Sequence, residues 1–252
     1  AVIGVLAGDG GIDGLGVYGM APWTTIHAYN VFGEYDTATS DDVAEAIRRA
    51  ADLGCEIISM SIGYPMYYGP SPSLADAIKY ADSLGVLMVA AAGNDNDDYG
   101  DQSINYPGAY PEVIAVGAIN DAWQATDFTS RGMNYQTSPI EINEGDVELA
   151  APGTWILTTY YDYDYAWWSG TSFSTPLVSG LAATLWYYPI LEGWYWDIIW
   201  VGDSASDTRN YLLLISEDVV EHETYGEFDP YTGNSFAGED PYTGFGVPIY
   251  PL

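Results

Sequence analysis

Cations are scarce in this chain of 252 residues. One lysine (Lys79) and four arginines face 36 acidic residues, for a formal net charge of −31. Nucleic-acid binding is thereby disfavoured, because contacts to phosphate need positive charge. A single cysteine, Cys55, leaves no intrachain disulfide to form. It precedes the apolar run Ile57-Ile58-Ser59-Met60, where a buried and inert thiol is expected. There is no run of 18 or more apolar residues, so nothing in the sequence reads as a membrane-spanning helix. No signal peptide is visible, and the first residue is Ala. Ala1, Val2, Ile3, Gly4, Val5 and Leu6 read as the interior of a helix, so the chain is expected to be a fragment. Histidine occurs only twice, as His27 and His222.

What is abundant is apolar and acidic. A hydrophobic content of 48% over this length allows a sizeable core, in one large α/β domain or two small ones. The acid excess reads either as a surface kept solvated at high salt or as the solubility of a secreted protein. Twenty-three Tyr and nine Trp are more aromatics than a salt-adapted surface calls for.

Along the chain, helical and strand patterns alternate. Residues 39–53 predict a helix capped by Ser40, with Asp41 and Asp42 in its first turn and Val43, Ile47 and Ala50 on one face. Gly54 ends it. A buried strand over 56–63, a helix over 73–84 and strands over 86–92 and 113–119 follow. Residues 25–31 also read as a strand. Such alternation builds βαβ units, a parallel sheet with helices on both faces, and function at the C-terminal ends of its strands. The glycine-rich loop G-D-G-G-I-D-G-L-G (8–16) is not a phosphate loop, because no K-[ST] follows.

The stretch W-S-G-T-S-F-S-T-P-L-V-S-G (168–180) puts Ser172 where Gly170 and Thr171 give way to the helical spacing of Phe173, Leu177, Val178, Leu181 and Leu185. A serine there lies near the positive end of the helix dipole. Pro176 fits a first helical turn. Alone, S-G-T-S reads more readily as an ordinary capped helix than as a reactive serine. Other blocks add to it: G-V-Y-G-M-A-P (16–22), I-I-S-M-S-I-G (57–63), V-A-A-A-G-N (89–94), Y-P-G-A-Y-P-E-V-I-A-V-G-A (106–118), F-T-S-R-G (128–132), A-A-P-G (150–153) and Y-T-G-F-G-V-P (242–248). In this order they resemble the subtilisin-like serine proteases. The resemblance covers residues 1 to about 186 and returns near the C-terminus. Leu177 departs from it, standing where the family usually has a non-catalytic histidine.

The resemblance implies an α/β fold, three-layer α/β/α with a mainly parallel twisted sheet. Residues 1–252 would form a single catalytic domain lacking its Asp/His part, with 187–206 and 221–241 as divergent insertions. It implies a serine-type endopeptidase acting on protein or peptide substrates, with Ser172 as nucleophile and the Asn94 amide as oxyanion donor. Ser61, Ile62 and Gly63 would pair with the substrate backbone as an added strand. Ala91, Ala92 and Gly93 match the facing segment, and Tyr106 and Pro107 a wall of the specificity pocket, where the bond before proline is commonly cis. Asn105 falls at the pocket floor and makes it shallower and more polar. Small or polar side chains before the scissile bond are therefore expected over large aromatics. Asp13, with the carbonyls of Leu15 and Val17, matches a structural calcium loop, against the plain reading of a turn. No cofactor is expected for catalysis, and a secreted, extracellular monomer without nucleic-acid or membrane partners is expected.

The family's chain order is Asp, His, Ser. Residues 1–4 resemble the continuation of the helix that carries the histidine, which places that residue one or two turns before Ala1. Neither His27, on the expected strand, nor His222, in a divergent acidic segment, is a credible base. Three readings follow: part of a secreted serine endopeptidase, a catalytically dead relative that binds peptides, or a structural module. Retention of Ser172 and Asn94 argues against the third. The segment 133–146 reads as a surface excursion, and 160–168 as a solvated hairpin with Tyr on one face or as a stacking platform. A late helix is expected over 207–220. D-P-Y-T-G occurs twice (229–233, 240–244) as a turn duplication.

The charge itself is testable. Screening lengths fall from about 30 Å at 0.01 M salt to about 3 Å at 1 M. Thermal melts are expected to rise steeply with NaCl across that range, and a flat profile removes the salt-adaptation argument.

Overall fold

The computed structural model describes residues 1–11, 14–33, 37–96, 103–132, 142–187, 204–217 and 247–248. It opens with helix α1 (Val2–Ala7), held in place from two sides. Thr158 donates its hydroxyl to the Ala1 carbonyl (2.6 Å), and the Met20 and Ala21 amides donate to the Val5 and Leu6 carbonyls. Helix α2 (Ser40–Asp52) starts on a capping box one residue before the expected cap. The Thr39 hydroxyl accepts the Asp42 amide (3.1 Å), and the Asp42 carboxylate takes the Thr39 amide in return (3.3 Å). Gly54, at φ +76°, lets the chain turn out of the helix where an L side chain would be strained.

The sheet follows from βαβ repetition. Strand β1 (Ile57–Met60) leads through the short β2 (Tyr64–Pro65) to helix α3 (Pro72–Ser83), which has Pro72 at its first position. Then come β3 (Leu87–Ala91), β4 (Asn105–Tyr106), β5 (Val113–Ile119) and β6 (Leu149–Pro152). The order β1-β3-β5-β6 is parallel throughout, with Ile57 opposite Leu87, Met88 opposite Val113 and Val116 opposite Leu149. β2 and β4 form a small antiparallel pair at the C-terminal end of this sheet. β7 (Ile156–Thr159) and β8 (Tyr165–Trp168) form a hairpin that feeds helix α4 (Thr171–Tyr187). Helix α5 (Ala205–Leu214) and the antiparallel pair β9 (Ser216–Glu217) and β10 (Val247–Pro248) complete the described elements.

Strand alternation sorts the core into two layers. Met88 and Ala90 of β3 and Val113 and Ala115 of β5 pack with Val43, Ile47, Leu74 and Ile78 from α2 and α3. Leu87 and Val89, with Ile114 and Val116, face Val178, Leu181, Leu185 and Leu212 from α4 and α5. Every residue of β3 and β5 is buried, as a strand covered on both faces requires. The α/β class with three layers is as expected.

Several expectations are corrected. Residues 25–31 form no strand; they pair with no described strand, and Ile26, His27 and Tyr29 are exposed. A strand exists through a partner's hydrogen bonds, which alternation in the sequence does not supply. β1 is the outermost described strand, so Ile57, Ile58 and Ser59 are only half-buried, and so is Cys55. Its thiol is still held protonated, because desolvation and the neighbouring Glu56 raise its pKa. Of the 133–146 excursion, 133–141 lie outside the described residues, while Gly145 and Asp146 are buried, Gly145 donating to the Ala109 carbonyl (2.8 Å). The late helix starts two residues early and stops at Leu214, because Ser204 caps it through the Asp207 amide (3.2 Å). Its expected continuation to 220 is replaced by β9 as far as Glu217; residues 218–220 lie outside the described residues. Both D-P-Y-T-G repeats and nearly all of 187–206 and 221–241 also lie outside them, and the described ends of the first of these segments belong to α4 and α5.

One buried ion pair ties α5 to the sheet. Glu148 is 1% exposed, and Arg209 donates Nε to both of its carboxylate oxygens (3.1 and 2.9 Å) and Nη2 to the Pro111 carbonyl (2.9 Å). Desolvation raises the Glu148 pKa, and Arg209 only partly opposes it. A carboxyl whose folded pKa is raised contributes stability below its unfolded pKa and loses it as pH rises through the folded value. Arg209→Met removes the opposing cation. It is expected to cost about 3–5 kcal/mol at pH 7 and distinctly less at pH 5, measured by chemical denaturation. Equal losses at both pH values refute this account.

Candidate functional site

The site is assembled at the start of α4, against the C-terminal ends of β1 and β3. Gly170 stands at φ +144°, a conformation L side chains rarely adopt, and its amide donates to the Gly153 carbonyl (2.8 Å). The helix begins one residue later. Pro176 is not in its first turn, as the sequence suggested, but inside it. A proline has no N–H to give the carbonyl four residues back, which here belongs to Ser172. The Ser61 hydroxyl takes that role, donating to the Ser172 carbonyl (2.7 Å). The Ser172 hydroxyl donates in return to the Ser61 carbonyl (3.2 Å). Two further hydroxyls fasten the helix: Ser174 to the Ala151 carbonyl (3.0 Å) and Ser179 to Ser59 Oγ (2.8 Å).

Asn94 follows β3 and is exposed, yet one end of its amide is fixed. Its Oδ1 accepts from the Thr171 amide (2.9 Å) and the Thr171 hydroxyl (3.1 Å). Its Nδ2 remains available beside Gly170, where an added Cβ would lie 3.5 Å from it. The buried Thr171 hydroxyl also accepts from the Gly93 amide (3.3 Å). The amide of Ser172 lies in the first turn, where no intrahelical carbonyl is available to it. A fixed amide donor and a first-turn N–H beside a hydroxyl can together stabilise a developing negative oxygen. The sequence pointed to Ser172 and Asn94. It did not single out Thr171 or the Ser61 hydroxyl, and Pro176 was the one signal for the latter.

Asn105 lies between the two strand-end segments. A Cβ on Gly63 would come 2.9 Å from Asn105 Cβ, and one on Gly93 would come 2.7 Å from Asn105 Nδ2. Ala92 joins this wall, its carbonyl accepting the Asn105 amide (2.8 Å), and the Ala91 carbonyl lies against Gly108. Ile62 packs on the α2–α3 core. The Tyr106–Pro107 bond is cis, and the Tyr106 ring packs at a tilt between Tyr64 and Tyr110, with its hydroxyl bonded to Glu144. Burial is the main cause that raises the Tyr106 phenol well above its ordinary pKa, with Glu144 adding to it.

The proposed calcium ligands are described only in part. Asp13 lies outside the described residues, and Leu15 is exposed. The Val17 carbonyl accepts the Gly10 amide (3.1 Å), and Gly16 to Gly10 and Gly19 to Gly8 close the loop by its own main-chain bonds. Among the described residues no group of three or more His, Cys, Asp or Glu gathers as a metal site. The described part of the loop does not by itself fit calcium. His27 is exposed on the unpaired segment, and His222 lies outside the described residues.

Known proteins are similar to this chain in sequence and in fold. The subtilase family, peptidase S8, matches residues 2–199. A subtilisin of Bacillus sp. (strain TA39) is 41% identical over 199 residues, 75% of this chain and 46% of the relative. Subtilisin DY of Bacillus licheniformis is 32% identical over 213 residues, 84% of this chain and 68% of the relative. The solved structure of sphericase superposes with a TM-score of 0.79 at 35% identity, over 98% of this chain and 75% of that one. A parallel α/β sheet with a serine at a helix start beside a fixed amide defines the class. The chain belongs to the subtilase family. It spans about half the length of the first of these relatives.

Thr171 is the hub of the amide network. Thr171→Val strands the buried Gly93 amide and removes the hydroxyl donor to Asn94 Oδ1 while keeping the backbone one, and is expected to cost about 1–3 kcal/mol in a urea denaturation series. Thr171→Ser keeps the hydroxyl and is expected to retain most of that stability. Equal losses for the two variants contradict the assignment.

Proposed function

We propose that this chain is part of a secreted, extracellular serine-type endopeptidase, a monomer cleaving peptide bonds in protein or peptide substrates. The observation that carries the reading is the fixed orientation of Asn94 beside Ser172, with Oδ1 held by Thr171 and Nδ2 free. In the proposed mechanism Ser172 Oγ attacks the scissile carbonyl carbon while its proton passes to a general base. Asn94 Nδ2 and the Ser172 amide donate to the oxyanion. Collapse expels the amine and leaves an acyl-enzyme that water hydrolyses. Loss of one such side-chain donor costs about 10²–10³ in kcat, a magnitude established on a subtilisin. Ser61, Ile62 and Gly63 would hold the substrate backbone on one side, and Ala91, Ala92 and Gly93 on the other. Calcium, where Asp13, Leu15 and Val17 bind it, would be structural and take no part in the chemistry.

The base and its orienting carboxylate would come from sequence outside these 252 residues. In support, the Ser172 hydroxyl donates to the Ser61 carbonyl, and no described imidazole is bonded to it. That same bond favours the second reading, a catalytically dead subtilase fold that binds peptides. A fluorophosphonate probe separates them. The 252-residue chain is expected to stay unlabelled, while the longer polypeptide carrying the family's Asp and His segments labels at Ser172. Labelling of the short chain points to a base within it, with His27 and His222 the first to replace. Failure of the longer polypeptide to label favours peptide binding without catalysis.

A further inference from the structure

The β7–β8 hairpin carries large apolar side chains on both faces. One face turns inward: Thr158 is buried and bonded to Ala1, and the Trp168 ring stacks on Phe173 of α4 (6.1 Å between centroids). The other face carries Leu157, opposite Trp167 in the register, and Tyr165, two residues before Trp167. Directly opposed residues of an antiparallel pair share a face, and so do residues two apart. Leu157, Tyr165 and Trp167 are 39%, 44% and 58% exposed. The surface continues past the strands. The Tyr165 hydroxyl stands against Gly16, where an added Cβ would meet it, and the neighbouring Leu15 is 86% exposed. An antiparallel pair that meets water on one side ordinarily presents polar residues there, and a two-stranded hairpin needs packing to be stable. A contiguous apolar surface left in solvent marks a docking site.

The position of Ala1 points to the occupant. Its carbonyl is bonded to Thr158 of this hairpin (2.6 Å), and Gly4 lies against the hydroxyls of Thr158 and Thr159. Helix α1 begins there without a side-chain cap, and a helix continued upstream would give its first-turn amides their carbonyls. Sphericase matches 98% of this chain, whereas this chain spans 75% of sphericase, so about a quarter of that protein has no counterpart here. A second copy is a poor occupant. The net charge is −31, exposed Asp162 and Asp164 lie between the two strands, and no lysine or arginine occurs between Arg131 and Arg209 to offset them. Sequence joined to Ala1 meets the hairpin as a tethered segment, at high effective concentration. We propose that sequence upstream of Ala1 in the longer polypeptide packs on the outer face of β7–β8, over Leu157, Tyr165 and Trp167. The proposal rests on the reading that the general base comes from outside these 252 residues. It gives the upstream sequence a second role. Trp167 adjoins Trp168, whose ring rests on the residue after Ser172, so covering the hairpin steadies the approach to that serine.

Hydroxyl-radical footprinting read by mass spectrometry compares the 252-residue chain with the longer polypeptide carrying the family's Asp and His segments. Oxidation of Leu157, Tyr165 and Trp167 is expected to fall several-fold in the longer polypeptide. Leu53 and Leu84, exposed at the ends of α2 and α3, serve as references and are expected to stay unchanged. Equal oxidation of the hairpin in the two polypeptides overturns the proposal. So does protection already present in the 252-residue chain, which means cover by another part of the chain or, where it grows with concentration, by a second copy. Trp167→Thr gives an independent reading. Loss of a buried indole is expected to lower the melting temperature of the longer polypeptide by at least about 5 °C. In the 252-residue chain the same exposed substitution is expected to shift it by less than about 2 °C. Equal shifts overturn the proposal. Fluorophosphonate labelling of the longer polypeptide reads the endopeptidase proposal separately. Labelling at Ser172 with an unprotected hairpin sinks the docking alone, and protection without labelling sinks catalysis and supports the docking.

Discussion

The site depends on a carbonyl that a proline leaves unpaired. Pro176 cannot donate to Ser172, and the Ser61 hydroxyl fills the gap. The end of β1 is thereby tied to the start of α4 at Ser172. The bond is reciprocal, because the Ser61 carbonyl receives the Ser172 hydroxyl. An ordinary helix would satisfy that carbonyl internally and have no reason to register itself against the sheet. Here a missing intrahelical bond becomes the positioning device, reinforced by Ser179 on Ser59 and Ser174 on Ala151. Thr171 extends the same logic to Asn94 and Gly93, so that one network of hydroxyls sets both the Ser172 hydroxyl and the Asn94 amide.

Charge is handled differently inside and outside. With 36 acidic residues, most carboxylates must remain in solvent, where water and salt screen them. Among the described residues Asp146 and Glu148 are buried, and Glu148 is held by one of the four arginines through a multidentate contact. Replacing this arginine with lysine would lose the planar fork that reaches both carboxylate oxygens and the Pro111 carbonyl together. A scarce cation is thus used at the junction of α5 with the sheet. Asp95 stands at the opposite extreme, partly buried and without a cation of its own chain among the described residues.

Much of the fold was legible because it is written in local pattern. Strand β5 lies over 113–119 as its apolar run indicated, and helices α2 and α3 were placed to within one residue at each end. Thr39 and Ser40 are both good caps, and only the position of Asp42 three residues on decides between them. What alternation could not reveal was pairing: residues 25–31 have strand composition but no described neighbour to bond with. At the site, resemblance singled out Ser172, Asn94 and Asn105, and it said nothing of Asp95, whose carboxylate accepts from Asn105. Its link to Asn105 spans ten positions and carries no periodic signal. Ser61 was seen as backbone only; its hydroxyl gained meaning once Pro176 proved to lie inside the helix.

The reach of these contacts along the chain sets an order of assembly. β1, α3 and β3 lie within 35 residues of one another, and such local units close first because short loops cost little entropy. The bonds that define the site join partners far more distant: 111 positions between Ser61 and Ser172, 77 between Asn94 and Thr171, and 157 between Ala1 and Thr158. A chain emerging residue by residue thus completes its sheet before Ser172 meets either partner. The Ser172 hydroxyl therefore stays unaligned until the four-stranded sheet that precedes it in the chain is in place.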